Sequence, residues 1–168
     1  LLIDEIPSIG DNTRMKFALF YEIPVPRPWT PGKEQAALKN TIEQAVFGEE
    51  MGFHSFWTVE HHFQTEFSHC SAPEVFLSSV AQRTEQIRIG HGVVLLPYPF
   101  NHPIRVAERI ATLDILSKGR VEFGTGRSGL HEQGGFGIPA SDSRAMWQEA
   151  LTMIPQMWAT ESFSHQGH

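Results

Sequence analysis

Short apolar segments alternate with segments of helical periodicity along the chain from residue 15 onward. Four strand-like segments lie at about 16–21, 54–58, 87–96 and 120–124, and each precedes a stretch whose apolar residues recur every three or four positions. This alternation is typical of parallel strands joined by crossover helices. The pattern therefore predicts four consecutive βα units.

The predicted helices have recognisable ends. The first spans about 34–52 and stops at Gly52, and its apolar face is formed by Leu38, Ile42, Ala45 and Val46. The second spans about 71–83, where Ser71 and Glu74 have the spacing of a capping box and Pro73 occupies the first turn. Helices at about 102–117 and 142–159 follow, and the last one comes after a glycine-rich loop.

The size of the repeating unit indicates a particular architecture. The 154 residues from 15 to 168 give about 38 per unit, close to the unit size of an eight-unit barrel of roughly 250 residues or more. We predict an α/β fold in which residues 15–168 supply about the first four βα units of a (β/α)8 TIM-type barrel. Residues 1–14, before Met15, are interpreted as a leader or an added extension.

Composition narrows the possible partners and location. The formal charge is -6 and no run of basic residues is present, which argues against nucleic acid. Apolar stretches such as residues 93–96 are far shorter than the roughly 20 residues that span a bilayer. A single cysteine, Cys70, cannot form an internal disulfide. We expect a soluble, cytoplasmic protein that does not bind membranes.

Polar residues follow the predicted strands, where the loops of a βα barrel line one mouth. The pair His61-His62 comes after the second strand, but adjacent residues on an extended backbone point to opposite sides, so a metal site is not expected. We expect one histidine to face the mouth, where its near-neutral pKa suits proton transfer or cofactor binding, and the other to pack. A structural role for both remains the alternative.

The sequence Gly124-Thr125-Gly126-Arg127 follows the fourth strand. Glycine permits close approach to backbone amides and arginine carries a fixed charge, a combination suited to an anionic group such as phosphate. Neither dinucleotide-binding nor P-loop spacing is present. A flexible turn with an exposed arginine is the alternative interpretation. We expect most aromatic residues to lie in the core, with those beside strand ends able to wall a planar ring.

Taken together, these segments resemble the bacterial luciferase-like family of flavin-dependent monooxygenases. The resemblance covers nearly all of residues 15–168, and the matching segments occur in the family's order. They are Met15-Lys16-Phe17, Glu50-Met51-Gly52-Phe53 with Phe56-Trp57, Glu60-His61-His62-Phe63 with Glu66-Phe67, Val94-Leu95-Leu96-Pro97 with His102-Pro103-Ile104-Arg105, and Leu116-Ser117-Lys118-Gly119-Arg120 with Phe123-Gly124-Thr125-Gly126-Arg127.

The resemblance implies a barrel that binds reduced FMN, supplied by a separate NAD(P)H-dependent flavin reductase, and that uses dioxygen to oxygenate a small organic substrate through a flavin hydroperoxide. His61 matches the family's catalytic histidine, and Glu60 lies at the flavin edge. Gly126-Arg127 matches the phosphate-binding segment, in which the arginine contacts the flavin phosphate. Gly92-Val93 falls where luciferases have a cis peptide bond between non-proline residues beneath the flavin ring.

The resemblance also leaves alternatives. Luciferases proper carry a reactive cysteine where this chain has Gly126, which argues against light emission and long-chain aldehyde specificity but not against flavin binding. A deazaflavin-dependent oxidoreductase that transfers hydride is a second possibility. A flavin-binding protein without turnover, or a truncated half-barrel, is a third. The family's dimers imply a homo- or heterodimer through the second and third helices, and residues 128–140 are the expected lid over the site.

Overall fold

The computed structural model describes residues 15–167, so the predicted leader at residues 1–14 lies outside the described residues. Four strands and five helices are present in the described part of the chain. In chain order they are β1 (Ala18–Tyr21), α1 (Lys33–Glu50), β2 (Ser55–Thr58), α2 (Pro73–Arg83), β3 (Arg88–Leu95), α3 (Pro103–Leu116), β4 (Val121–Gly126), α4 (Leu130–Gly135) and α5 (Ser143–Ala159).

The strands form one parallel sheet in the order β1-β2-β3-β4. The register places Phe56 of β2 beside Leu19 of β1 and Ile89 of β3. Consecutive strands are therefore neighbours, with a helix in each connection, as the periodicity predicts. The strand order is that of a barrel wall opened along one line, with β1 and β4 as its outer strands among the described residues.

The apolar core lies between the sheet and its helices. On the helix side, Phe56 and Ile89 are fully buried and pack with α1 and α2 residues such as Ala45 and Leu77. A second cluster joins the end of β3 to α3 and α5 through Val94, Leu96, Val106, Ala107, Ile110, Ala150 and Ile154. Burial of apolar surface between the sheet and its helices is the main stabilising contribution in such a layer.

The start of α2 differs from the predicted capping box. The N-cap residue is Ala72, and no side chain caps the helix, although Pro73 does occupy the first turn. The carboxylate of Glu74 instead forms an ion pair with Arg109 of α3. The capping-box prediction is therefore wrong, because a tertiary ion pair takes the side chain that the local motif would use.

Two boundaries near the fourth strand also differ from prediction. The strand extends to Gly126, so the glycine-rich motif lies largely within β4 and not in a loop. Residues 130–135 of the predicted loop form the short helix α4, in which Glu132 and Gln133 are buried. The expected lid segment thus contains a packed helix. The apolar periodicity of the sequence does not reveal this helix, because Gly129 precedes it and Gly134 and Gly135 are its last residues.

Aromatic residues are less buried than expected. Phe56 is fully buried, but several others at the carboxyl edge of the sheet are 46–55% exposed, namely Trp29, Phe63, Phe67 and Tyr98. These four rings stand beside strand ends, where aromatic side chains are expected to wall a planar ring. The expectation that most other aromatic residues lie in the core is wrong for Phe17, Phe20 and Phe47, which are 57–61% exposed. Among residues 15–167, no helix combines the length and apolar character needed to cross a membrane.

Candidate functional site

The carboxyl ends of the four parallel strands meet at one edge of the sheet. Glu22 directly follows β1, and Glu60 and His61 follow β2 within three residues. Arg127 is the first residue after β4. This edge is where barrel enzymes place their catalytic and binding groups. The residues singled out from the sequence therefore come together at the expected end of the fold.

His61 lies between two carboxylates. Its Nδ1 is 3.1 Å from Oε1 of Glu132, and its Nε2 is 3.5 Å from Oε2 of Glu22. The main-chain N–H of His61 donates to the carbonyl of Cys70 at 2.9 Å, which fixes the backbone. The side chain is 27% exposed. His61 is thus hydrogen-bonded at Nδ1, has Nε2 near Glu22 without a hydrogen bond, and is still reachable from the mouth.

His62 occupies a different environment. Its ring stacks on Phe100 with centroids 6.1 Å apart and meets Phe136 edge-on at 4.9 Å. Its Nε2 lies 3.1 Å from Oε1 of Glu60. The two histidines therefore differ in position, and His62 is the one that packs within an aromatic cluster.

Glu60 joins two strand ends. The residue is 5% exposed, and Oε2 accepts the main-chain N–H of Leu95 at 2.8 Å. Its Oε1 accepts the side-chain amide of Asn101 at 2.8 Å in addition to its contact with His62. Both oxygens thus have partners within the chain. The structure places Glu60 at the predicted site edge, where it holds the loops together.

A stripe of glycines lines the face of the sheet opposite the helices. A Cβ added at Gly90 would lie 2.3 Å from the indole of Trp57, and one at Gly124 would lie 2.2 Å from the carbonyl oxygen of His91. A Cβ at Gly92 would come within 2.8 Å of the Phe20 ring. The glycines therefore leave room for the Trp57 and Phe20 rings and for the His91 carbonyl, which a Cβ at these positions would displace.

The peptide bond between Gly92 and Val93 is cis. The expected cis bond at this position is present, next to an irregularity in the β3–β4 ladder between His91 and Val94. The Val93 side chain lies over Gly126, since a Cβ added there would be 2.5 Å from Val93 Cγ2. Gly92, Val93 and Gly126 thus form one continuous surface between adjacent strands.

Arg127 is exposed, and its side chain reaches Ser143, the first residue of α5. Its guanidinium donates to the hydroxyl of Ser143 at 2.9 Å. The main-chain carbonyl of Arg127 accepts from the side-chain amide of Gln133 at 2.9 Å. The charge is therefore positioned at one end of the glycine stripe, with both its side chain and its backbone tethered.

Glu132 is a site residue that the sequence did not indicate. It lies on α4, 71 residues after His61, and its side chain is 3% exposed. Its carboxylate accepts from the main-chain N–H of His62 at 2.6 Å and from the hydroxyl of Ser128. Glu22 could have been found, because it follows β1 directly. No local pattern marks Glu132.

Electrostatics separate the ionisable groups of this edge. Burial pushes the pKa of Glu132 upward, but hydrogen bonds from Ser128, from the His62 amide and from His61 outweigh it, so the pKa lies below its usual value. Burial raises the pKa of the Cys70 thiol to about 11. Glu132 is therefore ionised at neutral pH, while Cys70 is a neutral thiol without nucleophilic character.

The arrangement fits a planar cofactor that carries a phosphate. The glycine face of the sheet is lined by backbone and by the apolar side chains of Phe20, Trp57 and Val93, against which an aromatic ring system can lie. Arg127 provides a fixed positive charge beside that surface.

Within residues 15–167, no three histidine, cysteine or acidic side chains are grouped so as to hold a metal ion.

Comparison with known proteins agrees with this geometry. A family model described as luciferase-like monooxygenase matches residues 15–168. Limonene 1,2-monooxygenase of Rhodococcus erythropolis is 38% identical over 138 residues, which cover 80% of this chain and 35% of that protein. The chain therefore belongs to the luciferase-like monooxygenase family.

Solved structures show the same fold. A monooxygenase from Streptomyces bottropensis superposes with a TM-score of 0.82 at 32% identity, covering 92% of this chain and 46% of the other. The oxygenating constituent of 3,6-diketocamphane monooxygenase from Pseudomonas putida, a type II Baeyer-Villiger enzyme in complex with FMN, gives 0.80 at 25% identity, covering 91% and 42%. The predicted partial (β/α)8 barrel is confirmed, and the chain spans less than half the length of these relatives.

Proposed function

We propose that this chain forms the N-terminal half of a flavin-dependent monooxygenase, which uses reduced FMN and dioxygen to oxygenate a small organic substrate. The observation that carries the proposal is the joint placement of three features at one sheet edge. These are the imidazole of His61, held at Nδ1 by Glu132, the apolar surface of Gly92, Val93 and Gly126, and the tethered charge of Arg127. Family membership supports it.

Each residue has a role that follows from its geometry. Arg127 binds the phosphate through charge-assisted hydrogen bonds, which are the stronger kind. The surface of Gly92, Val93 and Gly126 supports the ring, with the Val93 side chain over Gly126 as its apolar contact. His61 holds or delivers a proton at Nε2, since Nδ1 is engaged by Glu132. When bound, reduced FMN would supply the two electrons that activate dioxygen.

The proposal extends to partners. Reduced FMN would come from a separate NAD(P)H-dependent flavin reductase, as the family resemblance implies, and the sequence carries neither dinucleotide-binding nor P-loop spacing. A homo- or heterodimer through α2 and α3 is supported by exposed apolar side chains on these helices, including Val75 and Ile104. Sedimentation with and without FMN measures the oligomeric state.

Flavin binding tests the proposal most directly. In a fluorescence titration with FMN, Arg127→Ala should raise the dissociation constant roughly 10- to 100-fold, since a hydrogen bond to a charged group contributes about 1.5–3 kcal/mol. Arg83→Ala is the matched control, because Arg83 forms a surface ion pair with Glu43 away from the site. Equal affinities for the Arg127 variant and the natural chain would contradict the assignment.

Oxygen consumption tests the reaction type. With reduced FMN and substrate, the chain should consume more dioxygen than free reduced FMN alone, which reacts with dioxygen without a protein. Hydride transfer to or from a deazaflavin without oxygen uptake would instead favour a deazaflavin-dependent oxidoreductase. Binding of FMN without either reaction would indicate a flavin-binding half-barrel that does not turn over by itself.

A further inference from the structure

Glu132 is a buried carboxylate that neither the sheet nor the core requires. It lies in α4, a helix of six residues at Leu130–Gly135, and is 2% exposed. A buried carboxylate is costly unless hydrogen bonds or an opposite charge compensate for lost hydration. The hydrogen-bond partners of Glu132 therefore show which contacts stabilise the buried carboxylate.

All three partners of Glu132 belong to the candidate site. Oε1 lies 3.1 Å from Nδ1 of His61 and accepts the main-chain N–H of His62 at 2.6 Å. Oε2 accepts the hydroxyl of Ser128, in the turn that follows Arg127. Glu132 thus joins the loop after β2 to the segment after β4, with the His61 ring as the one partner that can exchange protons.

The adjacent residue reinforces this arrangement. Gln133 is also 2% exposed, and its side-chain amide donates to the carbonyls of Arg127 and Ser128 at 2.9 Å each. These bonds hold α4 against the segment after β4. The Glu132 carboxylate consequently has a fixed approach to His61, which a solvent-exposed loop would not provide.

A fixed acceptor at Nδ1 decides which ring nitrogen carries the proton. An ionised carboxylate accepts hydrogen bonds and cannot donate them, so its contact with Nδ1 favours the Nδ1–H form of the neutral ring. Nε2 is then the unprotonated nitrogen of the neutral ring. It lies 3.5 Å from Oε2 of Glu22, an oxygen that makes no hydrogen bond within residues 15–167, so Glu132 is the acceptor that sets the tautomer. Glu132 and Glu22 are the charged groups facing the ring, one from α4 and one from the end of β1.

We propose that Glu132 is a positioning residue for His61: its buried carboxylate holds the Nδ1–H tautomer and leaves Nε2 as the nitrogen that exchanges a proton at the site. The inference rests on the proposed function only for the use made of that proton. The competing interpretation is that Glu132 simply fastens α4 to the β2 loop. That interpretation predicts no dependence of the His61 tautomer on residue 132.

Nitrogen-15 NMR of histidine-labelled chain separates the two interpretations, since it distinguishes protonated from unprotonated ring nitrogens. At a pH where the His61 ring is neutral, the natural chain should show a protonated Nδ1 and an unprotonated Nε2. Loss of this pattern, with Nε2 protonated instead, would overturn the proposal without any variant. The His61 signals are assigned from their absence in His61→Gln.

Two substitutions extend the test. Glu132→Gln retains an oxygen that can accept from Nδ1, so the tautomer should persist, whereas Glu132→Ala should convert His61 to a mixture of tautomers. Glu49→Gln is the matched control, because the Glu49 carboxylate likewise accepts main-chain N–H groups but does so at residues 85–87, at the opposite end of the sheet from His61. An unchanged His61 tautomer in a folded Glu132→Ala variant would overturn the proposal.

Measurements of kcat test whether the His61 tautomer affects catalysis. General acid–base catalysis contributes roughly 10²–10⁴-fold, so a misassigned proton in Glu132→Ala should lower kcat about 10- to 100-fold, with partial rescue in Glu132→Gln. FMN affinity should change little in either variant. The NMR measurement needs no flavin, so the two proposals can fail separately. Absence of FMN binding would contradict the proposed function only. A His61 ring protonated at Nε2 in place of Nδ1 would contradict the positioning role of Glu132 only.

Discussion

Glu60 and Leu95 are 35 residues apart in sequence, yet the Glu60 carboxylate accepts the Leu95 amide at 2.8 Å and ties the end of β2 to the end of β3. The same carboxylate also accepts from Asn101 in the loop that leads to α3. A single buried side chain thus connects three segments of the sheet edge. The shape of the site depends on this connection.

Replacing Glu60 should therefore cost stability. Glu60→Gln presents an amide donor where two donors now converge, so at least one buried N–H is left without an acceptor. The free energy of unfolding should fall by about 1–3 kcal/mol, measured by urea denaturation. Glu66→Gln is the control, because its ion pair with Arg27 is solvent-exposed and should contribute under about 1 kcal/mol. Equal losses in the two variants would contradict this account.

The glycine stripe makes a second prediction. Gly124→Ala would place a Cβ 2.2 Å from the carbonyl oxygen of His91, a backbone atom that cannot move aside without disturbing β3. We expect a loss of about 1–3 kcal/mol in unfolding free energy together with weaker FMN binding, because the sheet surface is deformed. Gly129→Ala meets nothing within 4 Å and should be close to neutral. A stable Gly124→Ala variant with unchanged FMN affinity would show that close approach is not needed.

His91 makes the stability of the chain depend on pH. Burial lowers its pKa from 6.5 to about 4, partly offset by the neighbouring Glu122 carbonyl, and Arg109 adds to the lowering. The other charged group facing it is Glu74, which is paired with Arg109. Because the unfolded chain binds the proton first, this contribution is complete above pH 6.5 and is lost as pH falls toward 4.

The expected loss is about 1.4 kcal/mol per pH unit at most, and about 3 kcal/mol across the interval. Urea denaturation at several pH values should give a shallower slope for His91→Leu than for the natural chain. His131→Leu is the control, since His131 is exposed and should leave the slope unchanged. A slope in His91→Leu as steep as in the natural chain would assign the pH dependence to other groups.

His61 itself should be needed for turnover and not for folding. Its side chain is 27% exposed and contributes little to the core. His61→Ala should lower kcat by roughly 10²–10⁴-fold, the range for a general acid or base, while circular dichroism and FMN affinity stay close to those of the natural chain. Kinetics like those of the natural chain would remove His61 from the mechanism.

Much of the fold follows from local pattern. The period of apolar residues predicts four βα units with boundaries within a few residues of those observed, because each strand and helix buries one recurrent face. Local pattern fails at α2, where Glu74 pairs with Arg109 and does not cap the helix. It fails again at α4, whose residues are held by contacts to distant loops.

Some residues of the candidate site could likewise be identified from the sequence and others could not. His61 and Arg127 could be identified in advance because they follow strand ends, where a barrel collects its functional groups, whereas Gly92 comes from the family resemblance. Glu132 could not, since its importance comes from a contact across 71 residues. The sequence by itself determined the βα order, the family and the candidate residues. Only the tertiary structure decided which carboxylate faces each histidine, because the energy of those contacts depends on distances that folding alone creates.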